Sequence, residues 1–220
     1  MMKKILLTLA LALSVCCIAS AQAEWINFKR YAEANSTVTS APKAIFMGDS
    51  ITDGWYSNDP DFFKDNNFLG RGISGQVTSQ MVLRFRNDVI AHHPKYVVIL
   101  GGINDIAQNK GPIDIEDTFN NIVTMAELAK ANEIKPVICL LFPANVIPWR
   151  KELGPANPKI DAFNAMVINY GKNHNVKVVE YLKDVDKSSG DLPKELSKDS
   201  VHPNLDGYKI MEQEILKVLK

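Results

Sequence analysis

The chain has 220 residues, 46% of them hydrophobic, which suits one globular domain with a sizeable core. Lys plus Arg and Asp plus Glu number 25 each, so the formal charge is zero. That balance argues against a nucleic-acid partner and gives no support for a basic membrane-surface helix.

The N-terminus reads as a targeting signal. Lys3 and Lys4 precede an apolar stretch over residues 5–18, and Ala21-Gln22-Ala23 has the small-x-small pattern of a cleavage site. The mature chain is expected to start at Glu24 and to be periplasmic or extracellular. A membrane anchor is the alternative, for which the apolar run is short. Lipoprotein processing at Cys16 or Cys17 is a lesser alternative, because Val15 stands where a small residue is expected. Cleavage would leave Cys139 as the one remaining cysteine, inside an apolar run, where it reads as a buried small hydrophobe.

Next, Trp25, Phe28 and Tyr31 recur at near-helical spacing. They predict a short N-terminal helix and linker over residues 24–42, packed on a main domain at 43–220. Strands are expected at residues 43–47, 68–72, 96–100, 137–142 and 176–181. Three of them are mostly continuous apolar runs, which suits strands buried on both faces of a parallel sheet. Helices are expected at 76–91, 114–131, 157–172 and 205–219. In the first, Val77, Met81, Phe85 and Val89 form one apolar stripe. Alternating strands and helices predict a three-layer α/β/α domain. The longest irregular stretches, 57–67, 143–158 and 183–203, are expected at the carboxyl edge of the sheet, where ligands bind in such folds.

Gly48-Asp49-Ser50 ends the first apolar strand. Gly48 allows a tight exit, Asp49 can hold the turn, and Ser50 opens a helical turn with its backbone N–H facing outward. Serine is a weak nucleophile until a base takes its proton. Among four histidines, His202 alone combines an expected edge loop with a carboxylate three residues earlier, Asp199. That carboxylate could fix the imidazole tautomer and stabilise its cation. An oxyanion also needs donors. Gly72-Ile73-Ser74-Gly75 and Gly101-Gly102-Ile103-Asn104-Asp105 each follow a strand. Each loop alone is a weak signal, since glycine marks many turns. A capped helix start is the plain alternative for Asp49 and Ser50.

Taken together, these four blocks resemble the SGNH (GDSL-type) hydrolase family, and the match runs from about residue 43 to the C-terminus. The resemblance implies a flavodoxin-like fold with a five-stranded parallel sheet. It implies Ser50 as nucleophile, His202 as base and Asp199 as the orienting acid. The oxyanion donors would be the N–H of Ser50, the N–H of Gly75 and the amide of Asn104, with Gly72 in the same loop as Gly75 leaving the choice of glycine open. Two departures stand out: Ser-Ile rather than Ser-Leu after Asp49, and Gln76 where relatives often carry Asp.

Trp55, Tyr56 and Trp149 are candidates for an aromatic rim that stacks on sugar or flanks an acyl chain; packing onto the core is the alternative for each. No long apolar lid segment is present. The expected activity is hydrolysis of short-chain acyl esters of a small molecule or glycan, with acetylated carbohydrate favoured. Lysophospholipids or aryl esters come second, and a non-catalytic glycan- or lipid-binding module third. No cofactor is expected, and no H-E-x-x-H pair or cysteine cluster suggests a metal.

Overall fold

The computed structural model describes residues 25–186 and 188–220. The expected signal at 1–23, with Cys16 and Cys17, lies outside the described residues. Five strands, β1 (Ala44–Gly48), β2 (Phe68–Gly72), β3 (Tyr96–Leu100), β4 (Lys135–Cys139) and β5 (Lys177–Val179), form one sheet in the order β2-β1-β3-β4-β5. Every pairing is parallel. All residues of β1 and β3 are buried, so the centre of the sheet is covered on both faces. The covering helices include α1 (Ala32–Ser36), α2 (Ser50–Asn58), α3 (Pro60–Asp65), α4 (Thr78–Asp88), α5 (Ile103–Ile106), α6 (Ile115–Ala131), α7 (Asn157–His174) and α8 (Leu205–Leu216). This is the expected three-layer α/β/α arrangement. The chain leaves β1 for one side of the sheet and crosses to β3 on the other, opening a crevice at their carboxyl ends.

Several boundaries differ from expectation for local reasons. β4 ends at Cys139; Leu140 still donates to the Val179 carbonyl of β5 at 2.9 Å, and the run leaves the sheet from Leu141. The Asn164 amide holds it there, accepting from the Leu141 N–H at 2.9 Å and donating to the Leu141 carbonyl at 3.0 Å. The stretch 57–67 is not irregular but contains α3. Asp59 caps that helix through the Phe62 N–H at 3.2 Å, and Pro60 opens it, a start signal present in the sequence. Residues 25–31 run mostly in turns, with Asn27 at φ 58°, and the regular helix comes one turn later as α1. Of the three spaced aromatics only Tyr31 turns inward, while Trp25 and Phe28 are exposed. The Tyr31 hydroxyl donates to the Gly72 carbonyl, and Asn35 accepts from Arg71 Nε at 2.9 Å and donates to Asp88 at 2.7 Å.

The stripe of α4 is buried as its periodicity requires. Between its apolar residues the helix also inserts Arg84, which has no exposed surface. Its Nη2 donates to the Gly48 carbonyl at 2.9 Å, and Nη1 donates to the Arg71 carbonyl at 2.8 Å and to Asp88 at 2.9 Å. Nε donates to Gln76 Oε1 at 2.6 Å. One guanidinium therefore ties together the ends of β1 and β2 and the loop that follows β2. The planar fork of arginine suits this; an ammonium point charge does not.

Two buried carboxylates cap the helices beside it. Asp49 caps α2, accepting from the Ile51 N–H at 3.0 Å. Burial pushes Asp49 up to about 6, against the pull of that bond, and its Oδ2 finds no hydrogen-bond partner among the described residues. Asp105 caps α4, accepting from the Thr78 N–H at 2.9 Å and the Thr78 hydroxyl at 2.6 Å. Burial raises it to about 6 as well, and the Thr78 bonds oppose the shift.

Arg84→Met should cost about 3–5 kcal/mol in urea unfolding, because Asp88 and two backbone carbonyls lose their buried partner. A loss below about 1 kcal/mol would remove Arg84 from the account of the fold. Asp49 gives a pH signature. Its folded pKa lies above the unfolded value, so the folded state binds the extra proton between about pH 4 and 6. Stability from this group is present at low pH and is lost as pH rises through 6. Asp49→Asn should therefore gain on the wild type by up to about 3 kcal/mol between pH 4 and pH 8. A pH-independent difference between the two proteins contradicts the buried, raised carboxyl.

Candidate active site

Ser50 sits where β1 hands over to α2. The handover is close-packed: a Cβ on Gly48 would come within 2.7 Å of the Leu100 carbonyl, so no larger residue fits. As the first residue of α2, Ser50 has a backbone N–H without a partner inside the helix. The positive end of the nine-residue helix lies at the same point.

The Ser50 hydroxyl lies 2.9 Å from His202 Nε2, and His202 Nδ1 lies 2.8 Å from Asp199 Oδ2. The residues are 152 positions apart at the first contact and three apart at the second. The loop before α8 is built to hold this geometry. Asp199 Oδ1 accepts from the backbone N–H of Val201 at 3.1 Å and of His202 at 2.8 Å. The Lys198 N–H and the Ser197 hydroxyl both donate to the His202 carbonyl. One oxygen of Asp199 therefore folds the turn while the other meets the imidazole. Partial burial disfavours the Asp199 carboxylate. The backbone and ring N–H of His202, with Val201, outweigh it and hold the group below the usual carboxylate range. An ionised Asp199 accepts a hydrogen bond from Nδ1–H, which keeps the ring proton on Nδ1 and leaves Nε2 as an acceptor towards the Ser50 hydroxyl.

The two glycine loops meet beside this row. Gly72 ends β2, while Gly75 lies in the following loop at φ 76°, and among the described residues nothing beyond its chain neighbours comes within 4 Å of a Cβ position. Its surroundings are open, and that backbone angle favours glycine. Asn104, in α5, is buried and donates from Nδ2 to the Gln76 carbonyl at 3.0 Å. Asp105 holds Thr78 from the same helix, so the segment after β3 is pinned to the segment after β2 at two points. Gln76 takes up its departure from the related pattern usefully. Its side chain accepts from Arg84 and donates to the Ile26 carbonyl at 2.8 Å.

An open cavity of about 340 Å³ adjoins Ser50, lined by Asp53, Gly54, Ser57, Ser74, Lys198 and Tyr208 among others. Ser50, Asp53, Gly54 and Ser57 are spaced i, i+3, i+4 and i+7, so α2 presents this one face to it. That phase corrects two of the aromatic candidates. Trp55 is buried in the core, stacked between Phe62 at 5.5 Å and Tyr208 at 5.7 Å, with Nε1 donating to Glu212 at 3.3 Å. Tyr56 is half-exposed but lies against Gly70 and Phe63, on the β2 side of the helix and off the cavity wall. Trp149 does reach the site. Its ring centroid stands 5.5 Å from that of His202. Asp53 and Ser74, joined by a 2.7 Å hydrogen bond, went unnoticed in the sequence, although the helical spacing from Ser50 points to the first of them. Cys139 is buried beside Tyr181, and burial pushes its thiol up to about 12, far from a nucleophile.

The comparisons with known proteins agree with this architecture. The model of the GDSL-like lipase/acylhydrolase family matches residues 46–210. A solved GDSL-like lipase from Bacteroides thetaiotaomicron is 44% identical, with a TM-score of 0.85 over 89% of this chain and 98% of its own. The isoamyl acetate-hydrolyzing esterase of Saccharomyces cerevisiae is 25% identical over 206 residues, 81% of this chain and 86% of the yeast protein. An uncharacterized lipoprotein of Bacillus subtilis is 35% identical over 78 residues, 34% of this chain and 32% of that protein. The family match spans the sheet from β1 to α8 and includes every loop of the site: the chain belongs to the GDSL-like lipase/acylhydrolase family.

Proposed function

We propose that the chain is a serine esterase that removes short acyl groups, acetyl above all, from hydroxyls of carbohydrate-like alcohols. The observation that carries the reading is the continuous row from the Ser50 hydroxyl through His202 to Asp199, at 2.9 and 2.8 Å. In this reading Ser50 Oγ attacks the ester carbonyl while His202 Nε2 takes its proton. The carbonyl oxygen becomes an anion, met by the N–H groups of Ser50 and Gly75 and by the Asn104 amide. Gly75 is the better donor than Gly72, which ends β2 packed against the backbone of Asp49, Thr52 and Asp53. The protonated His202 then gives its proton to the departing alkoxide, leaving an acyl-Ser50 ester. Water enters, gives a proton to His202 and attacks the acyl carbon; the proton returns to Ser50 as the acid leaves.

The substrate class rests on the cavity. Asp53, Ser57, Ser74 and Lys198 on its wall offer hydrogen-bonding groups to a hydroxylated alcohol, beside apolar surface that includes Pro203 and Tyr208. The yeast relative is named for an acetate ester, which supports the short acyl group. Export, read from the charged and apolar N-terminus, belongs to the same proposal, with glycan esters outside the cytoplasm as the setting. Among the described residues no helix is long and apolar enough to cross a membrane.

Ser50→Ala should lower turnover of 4-nitrophenyl acetate by at least about 1,000-fold while the urea unfolding midpoint stays put. Unchanged turnover would sink the mechanism. A series of nitrophenyl esters from acetyl to palmitoyl, run beside acetylated glycans, tests the substrate class. The expected result is fastest turnover at acetyl and release of acetate from glycan. A medium- or long-chain optimum transfers the site to lipid-like esters.

A further inference from the structure

The proposed mechanism needs the Asn104 amide to face the oxyanion with its N–H side. Turned over by 180°, the same side chain would aim a lone pair at negative charge. What holds it the right way round lies outside the family blocks already described, and the inference below rests on the esterase reading.

Three hydrogen bonds run in series across this region. Trp149 Nε1 donates to Asn109 Oδ1 at 3.0 Å, Asn109 Nδ2 donates to Asn104 Oδ1 at 2.6 Å, and Asn104 Nδ2 donates to the Gln76 carbonyl at 3.0 Å. Both ends of the series have only one possible role. An indole nitrogen donates and never accepts; a backbone carbonyl accepts and never donates. Asn109 therefore meets Trp149 with its oxygen, which leaves its NH2 for Asn104. Asn104 in turn receives that NH2 with its oxygen, which directs its own NH2 towards the loop of Gly75 and Gln76. One N–H of that group is used by Gln76, and in the esterase reading the second meets the oxyanion.

The rest of the neighbourhood keeps this series in register. The Asn109 N–H donates to the Asn104 carbonyl at 3.0 Å, so the two side chains leave one turn. Arg150 Nη1 donates to the carbonyls of Ala107 at 2.6 Å and Gln108 at 3.0 Å, clamping the loop that carries Trp149 onto the end of α5. The Trp149 ring meanwhile stands beside His202, tilted by 32°. The side chain that walls the base also sets the direction of the donor series.

We propose that Asn109 and Trp149 are positioning residues: together they lock the polarity of the Asn104 amide so that its N–H faces the oxyanion. Neither touches the reacting atoms in this role. Both act through Asn104.

Three variants test the lock, each with kcat and KM measured on 4-nitrophenyl acetate and with unfolding midpoints compared. Asn109→Asp still accepts from Trp149 but sets a carboxylate against Asn104 Oδ1, which drives the amide to turn over. Its kcat should fall about 100-fold or more, the scale of losing an oxyanion donor, with KM within about 3-fold. Asn109→Ala frees the amide without reversing it, and kcat should fall only about 10-fold. Trp149→Phe keeps a ring beside His202 and removes the indole N–H; it should resemble Asn109→Ala. The signature is Asp worse than Ala at one position, in kcat and not in KM. A residue that merely pins the turn gives the reverse order, or losses that follow the unfolding midpoints, and either result overturns the proposal. So does an Asn109→Asp protein within about 3-fold of wild-type kcat. Labelling by a fluorophosphonate separates this failure from failure of the esterase reading. If Ser50 is labelled and required for turnover while Asn109→Asp is harmless, only the lock falls. If Ser50→Ala keeps turnover, the esterase reading falls first.

Discussion

The buried guanidinium of Arg84 is the constraint on which the site depends. A parallel sheet brings its carboxyl ends to one edge, but the loops that leave those ends are free to splay. Arg84 removes that freedom by bonding the last carbonyl of β1, a carbonyl of β2 and the Gln76 side chain at once. Gly48 then delivers Ser50, and Gln76 follows Gly75 directly. A single charge beneath the crevice thus sets the spacing of Ser50 and the glycine loop. Asp88 neutralises it at 2.9 Å, and Asn35 of α1 bonds the other oxygen of Asp88. The N-terminal segment is therefore wired to the same centre.

The acidic residues near Ser50 have different environments and so different chemistry. Asp199 is over a third exposed and carries three hydrogen bonds, which hold it below the usual carboxylate range beside His202 Nδ1. Asp49 is fully buried, with one oxygen unpartnered among the described residues, and burial raises it. It caps the helix that Ser50 opens. Asp105 takes a third role by fastening α4 to the segment after β3. Desolvation and hydrogen bonding, not residue type, set these three carboxylates apart.

Much of this was legible in the chain because it is local. Apolar runs marked the strands, a glycine at a strand end marked the exit to Ser50, and Asp199 with His202 fits within one turn of loop. What was hidden depends on phase or on distant partners. The rim assignment of Trp55 and Tyr56 failed because nearness in sequence to Ser50 is not nearness on a helix; the i+3, i+4 and i+7 positions face the cavity instead. Arg84 looks like any charge on an amphipathic helix until its acceptors, 13 and 36 residues away, are brought beneath it. Asn109 carries no signal by itself, since its meaning comes from Trp149, 40 residues later. The helix α3 was announced by Asp59-Pro60, a local cue outweighed by the polar residues around it.

The most direct measurement is a crystal structure of the protein after reaction with a small fluorophosphonate, a stable likeness of the tetrahedral intermediate. The account predicts phosphorus bonded to Ser50 Oγ. It also predicts one phosphoryl oxygen within hydrogen-bond reach of the Ser50 and Gly75 N–H groups and of Asn104 Nδ2. An adduct on another residue, or a phosphoryl oxygen facing solvent or the Asn104 carbonyl oxygen, would contradict it.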